Sequence, residues 1–511
     1  MDRARHLLRS SAIVVLLLGL GKLTGLVRAR MVSAEFGTGT AYDAFTAANQ
    51  LPEVFVTLIS GGALAAAFIP VYSAYLTSQR SKQAAQLAGS ILTLVIAVLG
   101  AISALGIVLA PWLVRHVLVP DFSPEQQALT ASLMRVILLQ TTLFGISGVL
   151  SSILNAHQHF ALPAFAPVAL DLGYFYGLVV LVPDMGIAGL AWGTVLGGVL
   201  HIVIQLPALV YYRFRYLPQI VVSLSGVREV IRLMVPRIVT LGSVQIADLF
   251  IIRLASGLAA GSTSAYFIGY QLMQLPETLL GTAIALVVFP TLAELYNAGD
   301  IDGLKTVSMN ALRIIWTLTF PAAVGLVLLG QPAIQFLLEE GAFTDESTRL
   351  VYGILLFFSF RVVAESTLEI LARLFYAQHD TQTPMFVALG WLALNVILAF
   401  PLADAYGARG LALASTIAFS LQSLALYLLN RRRLGYLHER ELLATAGRSL
   451  LGAAGMSAVI LLLEKIIDGS FLFLFAGGAA GLLAYLLVTY LAGAREIPQL
   501  IRIIRSRSEN V

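Results

Sequence analysis

The chain has no cysteine among its 511 residues. That excludes disulfides, thiolate metal sites and thiol catalysis at once. Charge is scarce as well: Asp, Glu, Lys and Arg supply 12% of the residues, about half the ~25% of an ordinary soluble domain. So few charges cannot wet the surface of several globular domains, and the cytosolic, disordered and fibrous classes fall away. The sequence also lacks a Walker A loop, a His-Glu-x-x-His motif and a nucleophile elbow, which leaves no ATP-driven motor and no enzyme to expect. Its seven histidines scatter among loops without ligand spacing. The net charge of +4 is too small to argue for a nucleic-acid partner.

What is abundant is apolar: 58% of the residues are hydrophobic and the mean hydropathy is +0.86. A membrane-spanning helix needs about 20 mainly apolar residues. Stretches of that kind fall at 10–32, 42–76, 84–113, 126–156, 162–183, 186–212, 228–257, 264–296, 304–331, 347–376, 384–402, 407–430, 444–466 and 470–493. The expected fold is therefore an all-α polytopic membrane protein with about fourteen spans. Arg3, Arg5 and Arg9 before the run at 12–20 resemble a signal peptide. Lys22, Arg28 and Arg30 follow it without a small-residue cleavage site, which favours a retained first helix. Basic residues crowd the N-terminal tail, alternate loops, the linker Arg431–Arg440 and the C-terminal tail. By the positive-inside rule, both termini are expected in the cytoplasm.

The chain also repeats itself. Gln50-Leu51-Pro52-Glu53 returns 224 positions later as Gln274-Leu275-Pro276-Glu277. Gly186-x-x-Gly189-Leu190-Ala191 returns 221 positions later as Gly407-x-x-Gly410-Leu411-Ala412. Ala156 and Pro163 match Ala377 and Pro384 at the same 221 offset. Two parallel six-helix repeats follow, an N-lobe over 1–222 and a C-lobe over 223–432, with a two-helix extension and tail over 433–511. Parallel repeats of this kind are a transporter architecture, in which two lobes move about a central site.

Charges within spans are costly, roughly 2.5–3.5 kcal/mol each on insertion scales, and point to partners or wet cavities. Lys22 and Arg28 have no acid within helical reach in their own span. Cations lining a cavity suit an anionic substrate such as a phosphate or pyrophosphate. Asp43, Glu53, Asp171, Asp248, Arg253 and Glu277 are further intramembrane charges, while Arg361–Glu365 and Glu369–Arg373 are spaced to pair along one helix. Pro52 with Gly61-Gly62, and Pro276 with Gly281, break matching helices of the two repeats and mark expected hinges near the transport path.

Gly25-x-x-Arg28, Phe36-Gly37-x-Gly39-x-x-x-Asp43-Ala44-Phe45, Leu51-Pro52, Gly61-Gly62-Ala63-Leu64 and Ala67-Phe68-Ile69-Pro70 resemble the MurJ/MviN flippases. In the second half, Phe375-Tyr376-Ala377, Asp380-Thr381-x-Thr383-Pro384 and Gly410-Leu411-Ala412-Leu413-Ala414 are similar to the same family. The resemblance implies fourteen helices and transport of lipid II, an undecaprenyl-pyrophosphate-linked precursor, across the bacterial inner membrane. It places Lys22, Arg28, Asp43, Gln271 and Gln274 at the substrate, and Gln50, Glu53 and Asp171, singled out above by charge and by the repeat, join them as candidate substrate-binding residues. Lys22 stands where arginine is usual, and Gln271 and Gln274 replace an arginine and a glutamate. Ala29, Val56 and Thr57 also depart from the family's charged pattern. Coupling to sodium or a proton is the implied energy source; a seventh-helix aspartate linked to sodium would align with Ile252, with Asp248 one turn earlier. No other cofactor is expected, and partners would be membrane lipids and cell-wall synthesis enzymes. The competing readings are a flippase for another polyprenyl-linked oligosaccharide, a drug exporter of the same architecture, and a non-transporting cell-wall scaffold.

Overall fold

The computed structural model describes residues 2–59, 63–78, 80–221 and 223–494. The described residues divide into two helical units.

The first unit spans Met1–Thr263 together with Glu340–Phe343. It contains α1 (Asp2–Phe36), α2 (Thr40–Ile59), α3 (Ala63–Thr77), α4 (Ser81–Leu113), α5 (Pro124–Ala156), α6 (Ala161–Tyr176), α7 (Val182–Met185), α8 (Ile187–Val203), α9 (Leu206–Tyr211) and α10 (Ser225–Ala255). Helix α5 shows how local sequence sets a boundary: Ser123 accepts the N–H of Gln126 at 3.2 Å and Pro124 takes the first turn, where its missing N–H costs nothing. Leu64, Phe68, Leu87, Ile91, Leu99, Val149, Ile153 and Val227 form a core shared by α3, α4, α5 and α10. Helix α10, which opens the second sequence repeat, thus packs in the first unit, against α2 and α3.

Helices α6 and α8 meet through glycine. A Cβ on Gly177 would stand 2.8 Å from the Cα of Gly193, and one on Gly193 would stand 2.9 Å from the carbonyl oxygen of Gly173. Gly173 likewise faces the backbone of Gly197. Small residues four apart let two helix backbones touch, the usual device where water cannot drive association.

The second unit, Ser264–Glu339 with Thr344–Val511, holds α11 (Ser262–Glu277), α12 (Ala283–Asn297), α13 (Ile301–Leu338), α14 (Asp345–Ala377), α15 (Gln382–Tyr406), α16 (Ala408–Leu434), α17 (Glu439–Glu464) and α18 (Ser470–Leu491). Leu312, Ile315, Ile370, Leu371, Phe375 and Leu426 form its core. The two last helices join α13 through Leu329, Met456, Ile460, Phe473 and Tyr485. The fully buried Tyr485 donates its hydroxyl to the carbonyl of Thr317 at 2.6 Å, so its one polar atom is satisfied. Short π-helical stretches, Val114–Leu118, Gly177–Leu181 and Thr278–Thr282, extend α4, α6 and α11.

The sequence repeat is visible in the backbone of each unit. Gly186 precedes α8 at φ 57°, ψ −142°, and Gly407 precedes α16 at φ 61°, ψ −141°. Only glycine adopts that region readily. Ten helices among the described residues are long and apolar enough to cross a membrane. The other four expected spans fall on α1, on α2 with α3, on α10 and on the charge-bearing α14.

Candidate functional site

In the first unit the expected site residues sit on α1, α2 and α6. Lys22 is exposed on α1. One and a half turns further along, Arg28 Nη1 donates to Asp171 Oδ1 of α6 at 2.7 Å. The second carboxylate oxygen of Asp171 accepts from Thr24 Oγ1 at 2.5 Å, and the guanidinium lies over the Tyr174 ring at 4.6 Å from its centroid. The Asp171 side chain is 4% exposed and that of Arg28 is 30% exposed. A buried carboxylate therefore orients a guanidinium that still meets solvent, and most of its five N–H donors remain available to an anion. Thr24 and Tyr174 went unnoticed in the sequence. Their signal was there: Thr24 precedes Arg28 by one turn, and Tyr174 follows Asp171 by three residues, so each pair shares a helix face.

The remaining residues of this unit divide by exposure. Glu53 is exposed, directly after the buried Pro52 inside α2, and Gln50 is buried one turn before it. Asp43, in the first turn of α2, is 2% exposed, and its Oδ2 accepts the N–H of Gly261 at 2.6 Å. Asp248 is half-buried on α10. Among the described residues no three of His, Asp or Glu converge on a metal position. Arg253 is spoken for: its Nη1 donates to the carbonyl of His116 at 2.7 Å and to that of Val117 at 3.2 Å. The hinge residues Gly61 and Gly62 lie outside the described residues.

One expectation needs correction. His6, His116 and His201 lie in helical segments rather than loops; His201 Nδ1 meets Ser147 Oγ at 2.6 Å, and Gln205 Nε2 donates to the same hydroxyl at 2.5 Å. Hydrogen bonding lets imidazole sit inside an apolar bundle, so a histidine need not mark a loop.

In the second unit, Gln271 is exposed on α11, and Gln274 Nε2 donates to Tyr270 Oη at 2.8 Å. Pro276 lies inside the last turn of α11, and Gly281 is buried in the π-helical stretch that continues it. On α14, Arg361 Nε pairs with Glu365 at 2.8 Å, and Arg373 pairs with Glu369. Arg361 also donates to Ser415 at 2.7 Å and lies 3.8 Å from the centroid of the Phe419 ring.

These helices match known transporters in fold. The structure titled lipid II flippase MurJ, inward closed conformation, aligns at a TM-score of 0.81 with 23% identity, covering 96% of this chain and 100% of that one. An inward-facing multidrug resistance MATE family transporter of the MOP superfamily aligns at 0.69 with 16% identity, covering 84% and 99%. The fold is that of a multi-pass membrane transporter. The family profile described as Lipid II flippase MurJ matches residues 32–478, and the chain belongs to that family. A relative from Bdellovibrio bacteriovorus, named as a probable lipid II flippase MurJ, is 29% identical over 495 residues, 94% of each chain.

Proposed function

We propose that the chain flips lipid II across the bacterial inner membrane by alternating access, with both termini in the cytoplasm. The family match over 32–478 carries this reading. The polar chemistry on α1 agrees with it. Lys22 is exposed on that helix and Arg28 half-buried one and a half turns on, and an arginine held by Asp171 presents fixed donors to a pyrophosphate. A drug exporter would need free acids to attract a cation. Here Asp171 is occupied by Arg28 and Thr24, and Asp43 by the backbone of Gly261, which leaves Glu53 as the exposed acid among the expected site residues, against Lys22 and Arg28.

The energy comes from an ion gradient, a secondary-type coupling. Depletion complementation tests the reading: rescue of a strain deprived of its lipid II flippase requires transport. A chain that inserts normally, associates with cell-wall synthesis enzymes and yet fails to rescue would be a scaffold instead.

A further inference from the structure

Glu277 closes the repeated motif in the second unit, as Glu53 closes it in the first. The settings differ: Glu53 is exposed, whereas Glu277 is 4% exposed. The partners of the Glu277 carboxylate are hydroxyls. Thr282 Oγ1 donates to Oε1 at 3.1 Å, and Thr278 Oγ1 reaches Oε2 at 3.5 Å.

The charged groups that act on it sit on α14, namely Glu365, Glu369 and Arg361. From α13, Lys305 is held by Asp302, and Arg313 by Glu441. Glu365 is already paired with Arg361, and Glu369 with Arg373. Two neutral pairs plus Glu277 leave the group one positive charge short. A carboxylate this buried without a cation is expensive, and a single bound positive charge removes the cost.

Gly281 lies in the π-helical stretch Thr278–Thr282, a distortion often found at functional sites. A Cβ there would stand 2.8 Å from Glu277 Oε1 and 2.5 Å from Ser366 Oγ of α14. Glycine thus lets both oxygens crowd against the backbone at one point, where any side chain would push them away. Ser366 is fully buried and its hydroxyl has no hydrogen-bond partner. The neighbouring carboxyl can partner it in either charge state, accepting its O–H when ionised and donating to Oγ when protonated. Glu369 is the least buried acid of the group, with 29% side-chain exposure.

We propose that Glu277 is the proton carrier of the transport cycle. Its carboxylate takes one proton from water on one side of the membrane, donates it in a hydrogen bond to Ser366 Oγ, and returns it to water on the other side. This deepens the flippase reading and rests on it for the coupling. A sodium ion would supply the same charge, so the test separates the two.

The full-length protein in proteoliposomes with fluorescent lipid II is given a pH gradient or a sodium gradient. With one proton per cycle, one pH unit shifts the flipping ratio about tenfold. Glu277→Gln should flip without responding to the pH gradient, and Ser366→Ala should respond with a displaced pH midpoint. Wild type that answers only to sodium, or a Glu277→Gln variant as pH-responsive as wild type, overturns the proposal. If Glu277→Gln fails to insert, wild type and Ser366→Ala carry the comparison, and identical pH midpoints overturn the site. Infrared titration of the purified protein needs no substrate. A protonated-carboxyl band that comes and goes with pH and is lost in Glu277→Gln supports the carrier even if flipping is absent and the flippase reading fails; an unchanged band overturns it.

Discussion

The carboxylate of Asp43 and the backbone N–H of Gly261 are joined at 2.6 Å, tying the start of α2 to the turn after α10. The corner is crowded: Gly261 has φ +85°, and its missing Cβ leaves room for the carbonyl of Thr38. A carboxylate also suits the positive end of α2. Removing the acceptor from a buried N–H costs about 1–3 kcal/mol. Asp43→Ala should therefore lower the unfolding temperature in detergent, and Asp43→Asn, which keeps one acceptor oxygen, should lower it less. Lost flipping at unchanged unfolding temperature would move Asp43 from scaffold to substrate contact.

Arg28 and Lys22 should share the pyrophosphate. A charge-assisted hydrogen bond contributes about 1.5–3 kcal/mol, so losing one weakens binding about ten- to a hundredfold. Arg28→Ala is expected to abolish flipping with insertion intact, and Arg28→Lys to recover part of it. Lys22→Arg should be tolerated and Lys22→Ala should not. Flipping normalised to inserted protein decides the point, and full activity in both alanine variants would remove the site.

Asp171 acts through Arg28. Asp171→Asn keeps a hydrogen-bonding side chain of the same size but drops the charge that orients the guanidinium. Flipping should fall about tenfold, mainly as weaker apparent affinity for lipid II rather than a lower maximal rate. Asp171→Glu should recover part of it. A fall confined to the maximal rate would assign Asp171 to the conformational step instead.

The orientation can be read chemically because the native chain has no cysteine. A Leu434→Cys variant should resist a membrane-impermeant maleimide in intact cells and react in inside-out vesicles. Labelling in intact cells would reverse the assignment of the Arg431–Arg440 linker to the cytoplasm.

Asp380, in the turn before α15, supplies a pH-dependent prediction. Partial desolvation raises its pKa, but hydrogen bonds from the Thr383 backbone and hydroxyl and the contact with Arg433 outweigh it, leaving about 2. A lowered pKa means the stabilisation is fully present above the ordinary value of 3.8 and is lost as pH falls toward 2. Asp380→Asn should be less thermostable at neutral pH, and the gap should close between about pH 4 and pH 2. A gap that stays constant through that range would mean the charge is not what stabilises the turn.

Most of the architecture was legible because it repeats along the chain. The Gly186 and Gly407 motifs, 221 positions apart, adopt the same backbone angles. The Arg361–Glu365 pair follows from helical spacing alone. The site was less legible, since spacing names a helix face but not the helix opposite. Arg28 meets an acid 143 positions away because α1 packs against α6, the helix that carries Asp171, with Gly21 of α1 facing Pro167. Glu277 is a similar case. Its repeat-mate Glu53 follows the same Gln-Leu-Pro, but Val54 and Leu58 stand where Glu277 has the hydroxyls of Thr278 and Thr282, and packing makes one exposed and the other buried.

The inclusion of Glu340–Phe343 in the first unit has a consequence for biosynthesis. Within that segment, the N–H of Ala342 donates to the carbonyl of Ala34 at 2.7 Å, Arg30 pairs with Glu340 at 2.8 Å, and Gly37 leaves room for the carbonyl of Ala342. The ribosome must make nearly eighty residues after Thr263 before these contacts can form. At about 5–20 residues per second, the N-terminal half waits roughly 4–16 s for its last piece. Meanwhile the first helices of the second unit are already entering the membrane, so the halves mature together rather than in succession.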